Sequence, residues 1–273
     1  MEYPYELVLE GKWTLDKMLD MTKDVYIDLN DNNKDKNDQF GLLAHRDSIE
    51  GFIPASGMLT VRKDDDGIPV ISSDMDSEKM VDVVTRLAAA FSTNDVYTSS
   101  NIDIRNIFSE DRALFITDRI FVAETNFSSS DVKYGIVPNP KYDENQEKYG
   151  TLLGHPHTQY AISIDSRQVD AASAVLECLG YEGYQRVTPA LFDITMKSRY
   201  ADNEIDAQMF DIIRENVSFD LGRLFSDAFN GQLGVLFRTS IINNNPNWKS
   251  TWDANKPLMQ IIMTSLVDTI INN

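Results

Sequence analysis

Cysteine and histidine are scarce in this chain of 273 residues. The single cysteine, Cys178, excludes an intrachain disulfide bond, and one thiol does not identify the redox compartment. Because Cys178 falls near the apolar stripe of a predicted helix, we expect an inert, buried thiol. His155 and His157 flank a proline, but no third ligand stands at a recognisable spacing, which disfavours a zinc enzyme.

Positive charge is also in short supply, since 25 basic residues face 43 acidic ones and the net charge is −18. A nucleic-acid partner requires a basic face and is therefore excluded, and an anionic lipid surface is disfavoured. The excess of acid suits neutral or cationic ligands. No apolar run approaches the ~18 residues of a membrane span. The first residues lack the basic and apolar regions of a signal peptide.

Apolar residues make up 42% of the chain, which is enough for a packed core. Alternating strand and helix signals predict an α/β fold. Strands are predicted at 40–43, 114–117, 134–137 and 161–164, and a hairpin joins 59–62 to 68–71. Helices are predicted to start after Thr14, after Asp76 or Ser77, at Asp165 or Ser166 (through Cys178, with Gly180 ending it), at Asn203 and at Pro257.

The segment Lys133–Asp143 combines a short apolar stretch with a rigid Pro-x-Pro extension. Pro138 and Pro140 fix their own backbone and bias the preceding residues toward extended conformations. We interpret the segment as a crossing between two lobes, with a surface loop after an edge strand as the alternative.

The acidic segment 28–39 places side-chain oxygens at alternating positions, as a loop around a hard cation requires. Gln39 stands where such loops usually carry a glutamate, so an Asn/Asp turn without an ion is the alternative. The predicted calcium ligands are Asp28, Asn30, Asn32, Lys34 through its carbonyl, Asp35 and Asp38.

Six strings, in matching order over nearly the whole chain, resemble the family 1 extracellular solute-binding proteins of ABC sugar importers, the relatives of maltose-binding protein. The run YGIVPNPKYDENQEKYGT at 134–151 is the most specific of them. The others are GKWTLDKMLDMTKDVYIDLNDNNKDKNDQFGL (11–42), DDDGIPVIS (64–72), FSEDRALFITDRI (108–120), VLECLGYEGYQRVTPALFD (175–193) and DIIRENVSFDLGRLF (211–225).

The resemblance implies a type II periplasmic-binding-protein fold made of two α/β lobes. Residues 1–132 and 200–273 would form the second lobe, and residues 133–199 part of the first. It also implies that an N-terminal part of the first lobe and the export signal are missing, so that the chain is truncated. The apolar face of the helix at 166–179 would then be covered by another copy, by swapped elements or by a small sheet.

The resemblance further implies a non-catalytic receptor that binds a sugar or oligosaccharide between its lobes and delivers it to an ABC permease. The full-length parent would be an extracellular, membrane-anchored lipoprotein without a catalytic cofactor. The expected ligand-binding residues are Phe52, Ser56, Arg119, Phe121, Phe219 and Asp220. Arg119 and Phe121 also follow a predicted strand, where open α/β sheets place their ligands. A surface ion pair for Arg119 and a core position for Phe121 are the alternatives.

Two other functions remain open at this point. Phe stands where Trp is usual in sugar sites, which leaves a receptor for peptides or other solutes on the same scaffold. A glycoside-processing enzyme needs two carboxylates, and 43 acidic residues supply chance pairs. No nucleophile, phosphate-loop or dinucleotide motif supports an enzyme.

Overall fold

A computed structural model describes residues 4–154, 160–197 and 204–272. Its central sheet has three parallel strands in the order β4-β1-β5, beside an antiparallel pair β2-β3 and a short parallel pair β6-β7. The strands are β1 Phe40–His45, β2 Val61–Lys63, β3 Pro69–Ile71, β4 Val96–Ser99, β5 Ala113–Thr117, β6 Thr151–Leu152 and β7 Val217–Ser218.

Ten α-helices occur in the described part of the chain. They are α1 Pro4–Leu9, α2 Leu15–Thr22, α3 Phe52–Ala55, α4 Glu78–Phe91, α5 Asp103–Ser109, α6 Val169–Glu182, α7 Glu204–Glu215, α8 Leu221–Leu224, α9 Gln232–Ile242 and α10 Trp248–Asn272. The predicted N-caps of the second and fourth are confirmed. Thr14 Oγ1 accepts the Lys17 N–H at 3.3 Å, and Ser77 Oγ accepts the Met80 N–H at 3.1 Å.

The middle strand β1 is buried along its whole length and separates two apolar clusters. Leu42 and Ala44 belong to the larger cluster, whereas Leu43 belongs to the smaller one. Alternate residues of a strand point to opposite faces, so the sheet is covered on both sides as a parallel sheet requires.

The segment from Lys133 to Leu152 lies on this main body. Residues 134–137 form no strand, contrary to the prediction, and pair with no strand of the described sheets. Trp13 Nε1 donates to the Pro138 carbonyl at 2.9 Å and holds this segment, which we call the strap, on the main body. Thr14 and Lys141 form an isolated parallel bridge, and β6 pairs with β7. The division into lobes at 132 and 200 stays a prediction, and residues around 200 lie outside the described part.

Helix α6 departs from the prediction in its start, its end and its burial. It begins at Val169, and two π-helical segments, Gly183–Val187 and Ala190–Met196, continue it past Gly180. We call residues 169–196 the α6 arm. No arm residue before Met196 is buried, and Cys178 is exposed, so the predictions of an inward face and a buried thiol are wrong. Residues 161–164 form no strand, so this part of the described chain offers the helix no sheet to pack against.

The last helix also begins earlier than predicted, at Trp248, with Pro257 inside it. Trp248 and Trp252 are fully buried with parallel rings 6.0 Å apart, and Trp248 Nε1 donates to the Met75 carbonyl at 2.8 Å. Burial of two indoles extends the helix on the N-terminal side of the proline, which tertiary packing can do against local preference. None of the described helices is both long and apolar enough for a membrane span.

Candidate functional site

A cavity of about 640 Å³ opens at the carboxyl end of β5. Its walls come from residues 114–123, which include the end of β5 and the turn after it, and from the strap at 134–139. Ligands of open α/β sheets bind at this edge, because the loops that follow parallel strands meet there.

The rim of this cavity carries charge next to an exposed aromatic ring. Arg119 Nη2 lies 3.8 Å from Asp47 Oδ2, and Phe121 is 45% exposed. Asp118 holds the turn in place: it accepts the Arg119 N–H at 2.7 Å and pairs with Arg105 at 2.7 Å. Asp118 is therefore a structural residue, while Arg119, Asp47 and Phe121 present polar and apolar groups to the cavity.

A second cavity of about 230 Å³ adjoins the first and shares Asp47, Leu152 and Arg223 with it. Glu50 and Arg238 also line this smaller cavity. The two cavities together form one cleft, which we call the β1–β5 cleft, since its charged groups follow those two strands or lie on helices facing them.

Four charged side chains join where the two cavities meet. Arg223 Nη1 donates to Glu50 Oε2, and Arg238 Nη1 donates to Asp47 Oδ1 and lies 3.1 Å from Glu50 Oε1. Burial raises the pKa of Glu50 above its ordinary value, although Arg223 and Arg238 oppose that shift. This set, together with Arg119, is nearly balanced in charge and rich in hydrogen-bonding groups.

The overall fold is similar to that of the maltose/maltodextrin-binding domain MalE from Bdellovibrio bacteriovorus, in a structure with bound maltotriose. The TM-score is 0.58 at 13% identity, over 93% of this chain and 66% of that one. The predicted periplasmic-binding-protein fold is confirmed. No protein-family model and no curated protein matches the sequence. The chain thus spans somewhat less than two thirds of the domain that it resembles in fold.

Two of the six predicted ligand residues face the larger cavity, namely Arg119 and Phe121. Asp220 borders the smaller cavity, but its carboxylate is occupied by hydrogen bonds from within the protein. It accepts the Thr60 N–H at 2.6 Å, the Thr60 hydroxyl at 2.8 Å and the Gly222 N–H at 2.9 Å. These bonds cap α8 and anchor it to the start of β2, which places Arg223 at the cleft.

The other three predicted ligand residues lie elsewhere. Phe52 is 1% exposed and belongs to the larger core, and Ser56 is equally buried at the end of α3. Phe219 is 70% exposed and lines neither cavity. The structure therefore does not bring Phe52, Phe121 and Asp220 together on one open surface.

Four charged cleft residues were missed in the sequence: Asp47, Glu50, Arg223 and Arg238. Asp47 and Glu50 directly follow β1, so the rule that singled out Arg119 and Phe121 also applies to them. Arg223 lies 173 positions from Glu50, and Arg238 lies 191 positions from Asp47. No local signal in the sequence connects such distant residues.

The predicted calcium loop closes on itself through its own side chains. Asp38 is fully buried and accepts the Tyr26 hydroxyl at 2.9 Å and the Asp35 N–H at 2.9 Å. Burial alone would raise the pKa of Asp38, but these hydrogen bonds outweigh that effect and hold the pKa below its usual value. Within the described ranges, no group of three or more acidic, histidine or cysteine side chains could hold a metal ion. Calcium binding by the six predicted residues stays a prediction.

Proposed function

We propose that this protein is a non-catalytic, carbohydrate-binding component of an ABC importer. The observation that supports the proposal best is Phe121 standing beside the Arg119–Asp47 pair on a large cavity at the sheet edge. Sugars present an apolar ring face and a hydroxyl-rich edge. An aromatic ring matches the first, and charged hydrogen-bonding groups match the second.

The size and charge of the cleft agree with such a ligand. Its larger cavity, about 640 Å³, falls within the usual range for small-molecule sites, roughly 300–1,000 Å³. The carboxylates of Asp47 and Glu50 largely offset the nearby arginines, which favours a neutral ligand over a phosphate or a cation. His155 and His157, the imidazoles considered as metal ligands, lie outside the described part of the chain.

In this proposal the protein binds and releases its ligand without reacting with it. The ligand sits between two lobes, and closure around it selects the conformation that a permease recognises. The protein would work outside the cell as a membrane-anchored lipoprotein.

Binding to maltose, maltotriose and longer maltodextrins tests the proposal by calorimetry and by thermal shift. We expect heat and a raised melting temperature with at least one of them, since a ligand that binds the folded state stabilises it. The same mixtures should contain no hydrolysed sugar after prolonged incubation. No binding to any member of a broad glycan panel, or turnover of one, would overturn the proposal.

A receptor for peptides or other solutes is the second candidate. The apolar lining of the larger cavity favours it, since Phe108, Phe127 and Tyr134 contribute to the walls beside Phe121. A library of short peptides in the same thermal-shift assay separates the two candidates. A shift with peptides and none with glycans would replace the carbohydrate proposal by this one.

A further inference from the structure

Glu50 is a buried carboxylate at the floor of the β1–β5 cleft. It lies in the 3-10 helix Arg46–Gly51 that follows β1, and its side chain is 4% exposed. Helix α9 passes directly over it at Gly234, where an added Cβ would stand 2.7 Å from Glu50 Oε2. The absence of a side chain at residue 234 therefore makes the space that this carboxylate occupies.

The carboxylate joins two arginines from different helices. Arg223 comes from α8 and Arg238 from α9, and each directs its Nη1 toward a separate oxygen of Glu50. Arg238 Nη1 also bonds Asp47, the residue that faces Arg119 across the cavity rim. A single buried group thus fixes the orientation of both arginines and, through Arg238, of Asp47.

The guanidinium of Arg238 is not fully used within the described part of the protein. Arg238 Nε is buried, and in the part of the chain that the structure describes it has no hydrogen-bond acceptor. Arg238 itself lines the smaller cavity, so part of its side chain stands next to the space that a ligand would occupy.

We propose that Glu50 is a positioning residue for ligand recognition, acting through Arg223 and Arg238. The inference rests on the proposed function, because the arginines are taken to contact a bound carbohydrate. Without the charge at residue 50, two flexible guanidinium groups lose their shared partner and sample several rotamers. Ordering them on binding then reduces affinity, since immobilising a long side chain has an entropic cost.

The charge-removing substitution Glu50→Gln is the direct test, with maltotriose as the probe and calorimetry as the measurement. We expect affinity to fall by about tenfold or more, as for loss of a central polar anchor in a binding site. Asp74→Asn is the matched control. This substitution also removes a carboxylate paired with an arginine, since Asp74 lies 2.6 Å from Arg62. Asp74 lines neither cavity. We expect its affinity to equal that of the wild type.

The pH profile separates positioning from a merely structural role. The charged groups that face Glu50 are Asp47, Arg223 and Arg238, with Arg119 beyond them. Burial raises the pKa of Glu50, so folding favours the neutral form of this carboxyl group. The neutral form stabilises the folded state fully below the ordinary pKa of glutamate, and this stabilisation is lost as the pH rises through the raised pKa. Glu50→Gln should therefore keep its melting temperature while losing affinity. Wild-type affinity should fall on acidification, and that of Glu50→Gln should not.

A measurement without ligand distinguishes failure of this inference from failure of the proposed function. The Nε–Hε signals of Arg223 and Arg238, assigned by substitution in nitrogen-15 spectra, should be sharp in the wild type and in Asp74→Asn but broadened in Glu50→Gln. Unchanged signals, or unchanged maltotriose affinity where the wild type binds it, would overturn the positioning role. Absence of glycan binding with broadened signals would refute the receptor proposal and leave the positioning of the arginines supported.

Discussion

Phe121 is the residue whose position and exposure most directly suggest ligand contact. It follows the last strand of the central sheet, lines the larger cavity and is nearly half exposed. Somewhat more than half of its surface is packed against the protein, and the remainder is exposed. Its exposed ring remains available for stacking on an apolar ligand face.

Replacing Phe121 by alanine should lower carbohydrate affinity by about tenfold or more, the effect expected from removing a central aromatic contact. The measurement is calorimetric titration of a glycan that the wild type binds. Stability should fall less than for a core phenylalanine, because nearly half of the residue is already exposed. Phe225→Ala is the control, since Phe225 is also exposed at 37% but lines neither cavity. Equal affinities for the wild type and Phe121→Ala would refute the assignment.

The contrast with Phe52 shows where residue-level prediction reaches its limit. Both phenylalanines occur in short segments that follow strands of the same sheet. Phe52 enters the larger core because α3 packs inward, whereas Phe121 stays at the rim because Asp118 holds its turn through Arg105. Both residues were predicted as ligand contacts from the family resemblance, and only tertiary packing separates them.

At the scale of elements, local chemistry predicted what local interactions decide. Thr14 and Ser77 cap their helices, and β1 and the β2-β3 hairpin form where the sequence places them. The start of α10 was predicted wrongly, because distant packing of Trp248 decides it and the local signal at Pro257 does not. The same holds for the residues of the cleft. Those that follow strands, such as Arg119 and Phe121, were predictable, while Arg223 and Arg238 on later helices were not.

The α6 arm presents apolar side chains that the described chain leaves exposed. Val175, Leu179 and Tyr184 are each more than half exposed. An ion pair of Arg214 with Asp193, and one of Asp211 with Lys197 directly after the arm, attach its C-terminal end to α7. A helix that is apolar on most sides is normally buried. Coverage by another copy of the chain, one of the three alternatives expected from the sequence, stays a prediction.

Light scattering over a range of concentrations tests this association. We expect a mass above that of a monomer of 31.0 kDa at high concentration. Leu179→Lys should shift the equilibrium toward monomer, because a charge on a buried helix face is costly. Glu177→Lys, an exposed charged position on the same helix, controls for the added lysine. A monomeric mass at all concentrations, with full protection of the arm in hydrogen exchange, would contradict the prediction.

The loop at 28–38 gives the second prediction at this scale. If the loop binds calcium as its sequence pattern predicts, millimolar calcium should release heat and raise the melting temperature, because a cation bound to the folded state stabilises it. Asp28→Asn should abolish both effects, since it removes an exposed carboxylate and leaves the buried bonds of Asp38 intact. Magnesium is the control ion. A flat titration of the wild type would remove calcium from the description of this loop.

For the whole molecule, the net charge of −18 sets the response to salt. Repulsion among like charges opposes the compact state, and salt screens it over a Debye length that shortens from about 30 Å at 0.01 M to about 3 Å at 1 M. We therefore expect the melting temperature to rise by a few degrees between about 20 mM and about 0.5 M sodium chloride.

Ligand affinity should respond differently over the same salt range. A neutral glycan exchanges no net charge with the cleft, so its dissociation constant should stay within about twofold between about 20 mM and about 0.5 M salt. Charged ligands behave otherwise: a cation attracted by the acidic surface would bind more weakly as salt rises, and an anion repelled by it would bind more tightly. Repeating the titration with potassium chloride controls for specific ion effects. A dissociation constant that changes steeply in both salts would show that recognition depends on ligand charge, and the nearly balanced set of Asp47, Glu50, Arg223 and Arg238 would then need a different interpretation.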